Sequence, residues 1–277
     1  MSIIDPAMYD RMKFVPIATV VIPSVYHVQL QWFLERNASV IRDYHVIVVS
    51  SAPESTQAFL EHYVPDCSLI SISEPQGFAK TVNLGLQAAT TEWIATCNDD
   101  VELTAHWLES LLTAVTEKTG GINPVILNPA GNIESAGVSI LPIGKAQPKT
   151  INIPAQPFQT EALNAACVLY RRQALIDVGF FDETFGSYLE DIDVSLSMIE
   201  HGWIQLVVPV VRVTHLQHKT SDSVLGWKKT GYDARNWWLI LFKHWSWSLW
   251  VQHFPGIFLE RLRNLSGMMR ALMAGKG

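Results

Sequence analysis

The stretch Trp93-Ile94-Ala95-Thr96-Cys97-Asn98-Asp99-Asp100 joins a short apolar run to three polar residues. Such a run is typical of a buried strand, which puts the two carboxylates at the strand's tip. Similar runs precede it, Ile17–Ile22 before Pro23 and His45–Val49 before Ser50, and segments with helical spacing lie between them. Continuous apolar strands alternating with helices predict an α/β fold with a mostly parallel sheet covered on both faces.

The carboxyl ends of these strands are expected to form a binding crevice, because ligands of open parallel sheets bind beyond those ends. Pro23–Val25, Ser50–Ala52 and Asn98–Asp100 should therefore converge. A hard divalent ion could complete its oxygen shell on the carboxylates there and cancel the charge of a diphosphate. An acidic cluster taken alone is more often a solvated turn or a helix cap.

The second half of the chain carries further acidic clusters and one histidine at a strand end. Asp182-Glu183 lies in a loop, and Glu190-Asp191 precedes a helix, where the plainer interpretation is N-capping. A carboxylate held ionised there could instead accept a proton from an attacking hydroxyl. His215 follows the predicted strand Val210–Thr214, and taken in isolation it fits a core histidine better than a metal ligand.

Charge and tryptophan content divide the 277 residues into two parts. Residues 1–225 hold 12 basic against 24 acidic residues, and residues 226–277 hold 8 against 2. The tail also contains six of the ten tryptophans, and Trp with Lys or Arg is typical of the membrane interface. We therefore predict a main domain over 1–225 and a helical tail over 226–277, which contacts an anionic membrane surface, packs on the main domain, or does both.

The sequence argues against a membrane-spanning helix, a signal peptide, and a dinucleotide or P-loop site. No apolar run approaches the roughly 20 residues that a membrane-spanning helix needs, and Met1–Val15 lacks the apolar stretch of a signal peptide. We therefore expect a cytoplasmic protein, peripheral at the inner face of the cell membrane, with no nucleic-acid partner. Dinucleotide and P-loop motifs are absent. The stretch from Pro142 to Pro157 has four prolines and no periodicity, which predicts an irregular loop.

Seven segments resemble, in order and spacing, the family 2 glycosyltransferases of GT-A fold, in particular the rhamnosyltransferase-like enzymes that build bacterial surface polysaccharides. The resemblance covers roughly residues 15–222, with a weaker echo at Arg235-Asn236. The matching segments are Thr19–Pro23, Val46–Val49, Gly77–Gly85, Asn98–Leu103, Gly179–Glu183, Glu190–Asp193 and Val213–His215.

The resemblance implies an inverting glycosyltransferase that uses Mn²⁺ or Mg²⁺ and a nucleoside-diphosphate sugar, either a UDP- or a dTDP-sugar. It implies that Asp100 and His215 are metal ligands, that Asp191 is the catalytic base and that Glu190 orients it. A glycan or lipid-linked acceptor is the expected partner. The residues implied in nucleotide binding are Pro23, Ser24, Ser50, Lys80, Asn83, Asn98 and Asp99.

Two departures from the family pattern affect these expectations. Ser50-Ser51-Ala52 stands where the family usually has an aspartate that contacts the base, so the identity of the base stays open. The Q-x-x-R-W motif of processive synthases is absent, which favours one transfer per binding event. The alternatives are a non-catalytic sugar-nucleotide binder of the same fold, or a sugar nucleotidyltransferase, although the glycine- and lysine-rich loop of the latter is missing after the first strand.

Overall fold

The structure is a computed structural model that describes residues 17–25, 27–216 and 228–274. A large mixed sheet runs through it, with strands in the spatial order β10-β12-β6-β11-β4-β1-β2-β3, while β5 pairs with β12 and β7 with β6. The strands are β1 Ala18–Ser24, β2 His45–Ser50, β3 Ser68–Ser71, β4 Trp93–Cys97, β5 Val101–Glu102, β6 Thr119–Leu127, β7 Ile133–Ser135, β8 Val138–Leu141, β9 Lys145–Pro148, β10 Phe158–Thr160, β11 Cys167–Arg171 and β12 Ile204–His215. The helices are α1 His27–Ile41, α2 Pro53–Tyr63, α3 Phe78–Ala88, α4 Trp107–Leu112, α5 Arg172–Val178, α6 Glu190–Glu200, α7 Lys228–His244 and α8 Trp247–Ala274.

The first half of the sheet is parallel, as its apolar runs predict. Strands β3, β2, β1 and β4 all point the same way. Alternate residues of β1 enter two different cores, Val20 and Ile22 on one face and Val21 on the other. Because both faces are covered, nearly every position of these strands has to be apolar. The predicted α/β class with a largely parallel sheet is confirmed.

Helix α3 packs unusually close to this sheet. It begins after Gly77, whose φ of +87° suits glycine. A Cβ added at Gly85 would lie 2.3 Å from Cγ1 of Val21, so only glycine permits the observed approach of helix and strand. The Gly77–Gly85 segment thus fixes α3 directly over β1.

The second half adds antiparallel pairs and corrects two sequence predictions. Strand β11 lies antiparallel between β4 and β6. The prediction of an irregular loop from Pro142 to Pro157 is wrong over Lys145–Pro148. This segment is strand β9, which pairs with β8 in a separate hairpin. The predicted strand Val210–Thr214 is the second half of a longer strand, β12, whose register against β6 shifts between Val208 and Arg212.

The tail packs on the main domain through part of its aromatic surface. Trp237 and Ile240 of α7 are buried in a cluster with Phe185 and Ile192, and the indole N–H of Trp245 donates to the Pro142 carbonyl over 2.8 Å. The predicted boundary between residues 225 and 226, and with it Trp227, lies outside the described residues. Among the helices of the described ranges, none combines the length and the apolar character needed to cross a membrane.

Candidate active site

The turns at the carboxyl ends of β1, β2 and β4 come together as predicted, and we refer to this place as the crevice. The Ser24 hydroxyl at the end of β1 donates to Oδ2 of Asp99 over 2.7 Å, and the Ser51 hydroxyl after β2 donates to the Val25 carbonyl over 3.3 Å. Burial of Asp99, only partly offset by the bond from Ser24, raises its pKa to about 7. A carboxyl group so far from water is costly to ionise unless a cation or a further donor faces it.

Asp100 contacts His215 at the same end of the sheet, which we call the acidic edge. Oδ1 of Asp100 lies 3.3 Å from Nε2 of His215, and the Leu216 N–H donates to the Asp100 carbonyl. The other ring nitrogen of His215, Nδ1, lies 3.1 Å from Oε1 of Glu134. Burial lowers the pKa of His215, but the hydrogen bonds to Asp100 and Glu134 outweigh it and raise the pKa to about 10. The imidazole therefore joins the end of β12 to the tip of β4.

Asp191 reaches the same edge through the segment before β11. Its Oδ2 accepts a hydrogen bond from the Ala165 N–H over 3.2 Å, and the neighbouring Ala166 carbonyl accepts from the Asn98 N–H over 2.9 Å. Two backbone residues thus connect the carboxylate at the start of α6 to the Asn98–Asp100 turn. The structure brings Asp99, Asp100, His215 and Asp191 to the same end of the sheet, beyond the carboxyl ends of β4 and β12.

Glu190 is buried, the adjacent Asp191 is half-buried, and their two carboxyl groups interact. Burial raises the pKa of both carboxyls, and the charge of Asp191 adds to the rise at Glu190, whereas backbone N–H donors lower it at Asp191. Oε2 of Glu190 has no hydrogen-bond partner. The raised pKa values mean that ionising these carboxyls costs more free energy in the folded protein than in water.

The loop before Asp191 is strained and is held by the tail. Tyr188 and Leu189 have φ values of +70° and +67°, a conformation that is costly for residues with a Cβ. The side-chain amide of Asn236, buried on α7, donates to the carbonyls of Phe185, Ser187 and Tyr188. These bonds stabilise the turn that delivers Glu190 and Asp191.

A second connection between tail and site runs through Asp193, one turn into α6. Its buried carboxylate binds Nζ of Lys243 and Nε2 of His244, each over 2.8 Å. Because Asp193 shares a helix with Asp191, these ion pairs fix the helix that carries the acidic pair. Helix α7 is therefore part of the architecture of the site.

Some of the residues implied in nucleotide binding have internal partners. Ser50 is buried, and its hydroxyl lies 3.0 Å from that of Thr56. The Asn83 amide donates to the Phe181 carbonyl and to Glu183 and accepts from the Phe181 N–H, so it fixes the loop before α6. Lys80 is exposed on α3, while Pro23 and Asn98 are half-buried. The structure brings Ser24, Asn98 and Asp99 together at the crevice and leaves Ser50 and Asn83 in supporting contacts.

Sequence reasoning missed Glu134 and the supporting role of Asn236. Glu134 lies on β7, 81 residues from His215, and a single Glu in a short edge strand gives no local signal. Asn236 stands out in the sequence only as part of the Arg235-Asn236 echo. Its contacts over some 50 residues of separation follow from the packing of α7 on α6.

The donor set at the Asp100–His215 contact fits a divalent ion that is shared with a phosphate ligand. Within the part of the chain that the structure describes, no group of three or more His, Cys, Asp or Glu side chains is arranged to hold a metal ion. Mg²⁺ and similar ions are usually held by one or two protein carboxylates together with waters and substrate phosphates, so a full cage is not required. A histidine that ligates metal commonly donates its other N–H to a carboxylate, as His215 can to Glu134.

The fold and the acidic residues at the carboxyl ends of its strands place the chain among α/β proteins of GT-A fold. The family model of glycosyl transferase family 2 matches residues 19–179, which is more than half of the chain, and the chain belongs to that family.

Curated relatives agree with this assignment. A pre-mycofactocin glycosyltransferase of Mycobacterium tuberculosis is 32% identical over 68% of this chain and 40% of its own length. An N-acetylglucosaminyl-diphospho-decaprenol L-rhamnosyltransferase of the same species is 26% identical over 62% of this chain and 65% of its own length. The chain thus spans less than two thirds of the length of either relative.

Solved structures show the same fold at low sequence identity. The mannosyltransferase PcManGT from Pyrobaculum calidifontis, in complex with GDP-Man and Mn²⁺, has a TM-score of 0.62 at 16% identity and covers 95% of this chain and 76% of its own. GalNAc-T7 with UDP, GalNAc and Mn²⁺ has a TM-score of 0.60 at 15% identity and covers 74% of this chain and 44% of its own.

Proposed function

We propose that this chain is a metal-dependent inverting glycosyltransferase that moves one sugar from a nucleoside-diphosphate sugar to a hydroxyl of a glycan or lipid-linked acceptor. The observation that carries the proposal is the convergence of Asp100, His215 and Asp191 at one edge of the sheet, through the Asp100–His215 contact and the Ala165–Ala166 connection. Solved GT-A enzymes bound to Mn²⁺ and nucleotide or nucleotide sugar support the same assignment.

In this proposal Asp100 and His215 hold Mn²⁺ or Mg²⁺, and Glu134 keeps the imidazole oriented. The bound ion would act as a Lewis acid that neutralises the leaving diphosphate. Ser24 and Asn98 border the nucleotide, and Lys80 is an exposed cation near it. The dense negative charge of residues 1–225 is unfavourable for a free diphosphate, so a bound cation is physically required.

Asp191 is proposed as the general base. It accepts the proton of the acceptor hydroxyl as the oxygen attacks the anomeric carbon from the face opposite the diphosphate, which inverts the configuration. The raised pKa of Asp191 brings its basicity closer to neutral pH than that of an ordinary aspartate. Glu190 is proposed to orient Asp191; burial and the negative charge of Asp191 both raise the pKa of Glu190.

The donor class is a UDP- or dTDP-sugar, and transfer is non-processive. The acceptor is proposed to be lipid-linked or a growing glycan at the inner face of the membrane, by analogy with the N-acetylglucosaminyl-diphospho-decaprenol L-rhamnosyltransferase. The basic, Trp-rich tail over 226–277 would bring the enzyme to that surface.

A thermal-shift screen of nucleoside diphosphates and nucleotide sugars, with Mn²⁺ or with EDTA, tests the donor site first. A ligand at 100 times its Kd stabilises a protein by about 2.7 kcal/mol, which a melting curve detects. We expect stabilisation that requires the metal, followed by metal-dependent turnover of the donor so identified. Metal-dependent binding without turnover of any donor, with glycan and lipid-linked acceptors present, would favour the non-catalytic binder of the same fold.

A further inference from the structure

Helix α8 has its apolar residues on the outside. Its 28 residues span about 42 Å. The exposed large side chains follow one another at intervals of three or four residues, which places them on one face. They are Trp247, Val251, Phe254, Phe258, Leu262, Leu265, Met269 and Met273, with Leu259 beside them. We refer to this set as the α8 stripe.

Two charged residues of α8, Glu260 and Arg261, lie on its inward side together with the apolar Ile257. Glu260 and Arg261 are 9% and 2% exposed. Nη2 of Arg261 donates to the Gly144 carbonyl, and Glu260 pairs with Lys145. On an ordinary surface helix the apolar face lies against the core and the charged face meets water. The reversed arrangement of α8 indicates that its outer face is built to contact something apolar.

The apolar surface continues onto α7. Phe242, which is 72% exposed, lies 5.4 Å from Trp250 between ring centroids, and Trp238 stacks on both rings. Single exposed apolar residues are common on protein surfaces, but a contiguous apolar patch of this length is not. Aromatic rings near one end of an apolar stripe are typical of helices that lie at a membrane surface.

The charges beside the α8 stripe identify what covers it. Arg263 and Arg270 stand on the outer side of α8, and 76% of the Arg263 side chain is exposed although its Nη1 lies 3.1 Å from Oε2 of Glu260. Residues 226–277 hold 8 basic against 2 acidic residues, so this ion pair leaves the tail positively charged. The acidic groups nearby are turned inward or paired: Glu260 as above, and Asp233 with the side-chain amide of Asn264 over 2.8 Å. Two copies of this positive surface would repel each other, whereas an anionic lipid surface complements it.

We infer that the α8 stripe lies flat in the headgroup region of an anionic membrane, with Arg263 and Arg270 at the level of the lipid phosphates. The inference deepens the proposed function, on which it rests for the identity of the acceptor, because it defines which face of the enzyme meets the membrane. It also explains how α7, which holds the loop before Asp191, is attached to that surface through its packing on α8.

Flotation with vesicles tests the inference on the full chain. We expect the wild type to float with vesicles of phosphatidylcholine and phosphatidylglycerol at low salt, and more weakly with phosphatidylcholine alone. The triple variant Phe254→Ser, Phe258→Ser, Leu262→Ser should lose more than about tenfold in affinity, because each ring or chain leaves an apolar environment. The double variant Arg263→Gln, Arg270→Gln should lose roughly fivefold per arginine on anionic vesicles only.

A matched control substitutes exposed apolar residues elsewhere. Ile151 and Val210 are 72% and 77% exposed and lie outside the tail, so Ile151→Ser, Val210→Ser should float like the wild type. Flotation of the triple variant at the wild-type level would overturn the inference. So would a wild-type dimer in light scattering that the triple variant dissociates, because the stripe would then be covered by a second copy.

Calorimetry with UDP and Mn²⁺ separates failure of this inference from failure of the proposed function. The triple variant should bind UDP and Mn²⁺ as the wild type does, which also shows that it is folded. A wild type that floats but binds no nucleotide would contradict the proposed donor site and leave the membrane face standing. A wild type that binds UDP but stays unbound to every vesicle at low salt would contradict the membrane face alone.

Discussion

Oδ1 of Asp100 lies 3.3 Å from Nε2 of His215, although the two residues are 115 positions apart in the chain. One stands just after β4 and the other at the end of β12. On the far side of the ring, Nδ1 of His215 lies 3.1 Å from Oε1 of Glu134. The three residues form a line of carboxylate, imidazole and carboxylate. In the proposed function, Asp100 and His215 would hold a divalent cation once Nε2 has lost its proton, and the cation would neutralise a diphosphate.

Asp100 and Glu134, on the two sides of the His215 ring, should both affect metal binding. Asp100→Ala should abolish the metal-dependent part of UDP binding, because it removes the proposed carboxylate ligand. Glu134→Gln should weaken Mn²⁺ binding by about 10–100-fold, as loss of an orienting partner does at other histidine ligands. Isothermal titration with Mn²⁺ and with EDTA measures both effects. UDP affinity that is the same with either additive in the wild type would rule out the site.

The second prediction concerns pH and the buried Glu190. Its pKa in the folded protein lies above the ordinary value of 4.5, so the folded state binds more protons than the unfolded state above that pH. Stability therefore falls as pH rises from 4.5 through the folded pKa. Glu190→Gln removes this loss, and we expect its advantage in free energy of unfolding over the wild type to grow with pH across that window.

Urea unfolding at a series of pH values measures the second prediction. Glu102→Gln, at an exposed carboxylate on β5, is the matched control. If the difference in free energy of unfolding between Glu190→Gln and the wild type were constant with pH, Glu190 would not lie in a buried site that disfavours its charged form. A fall in kcat for Glu190→Gln is expected as well, since Glu190 is proposed to orient Asp191.

The third prediction concerns the strained loop before α6. Asn236→Ala removes the donor to three carbonyls, and we expect a loss of about 2 kcal/mol or more in free energy of unfolding. Activity should fall further than stability alone explains, because Tyr188 and Leu189 lead into the acidic pair. Asn132→Ala, in an exposed turn, should stay within about 0.5 kcal/mol of the wild type. Equal stability of the two variants would show that α7 does not hold this loop.

The parallel half of the sheet and its crevice could be predicted from the sequence because the signals are local. Apolar runs mark β1, β2 and β4, Gly77 marks the start of α3, and the Asp99-Asp100 pair stands at a strand tip. The same reasoning could not find Glu134 beside His215 or Asn236 beneath the loop. These contacts depend on how β7 and α7 pack, which no short-range pattern encodes.

Local patterns also misled the prediction in the second half. Prolines at 142, 148, 154 and 157 suggested a loop, but Lys145–Pro148 forms an edge strand whose last residue is a proline, a position that needs no ladder donor. In the tail, composition predicted an aromatic and basic surface without indicating which face of α8 is buried. Burial of Glu260 and Arg261 decides that question.

Asp191 is the residue on which the proposed chemistry depends most. General-base assistance is typically worth 10²–10⁴-fold, so Asp191→Asn should lower kcat by about that factor. Donor affinity should stay close to that of the wild type, because Asp191 bonds to the Ala165 N–H and its amide replacement can accept the same bond.

The most direct test of the account is one assay series on wild type and Asp191→Asn, which measures kcat for sugar transfer and the Kd of the donor in parallel. The account predicts a kcat about 10²–10⁴-fold lower with an unchanged Kd, and a wild-type product of inverted anomeric configuration. Turnover of Asp191→Asn at the wild-type rate, or a product that retains the donor's configuration, would contradict it.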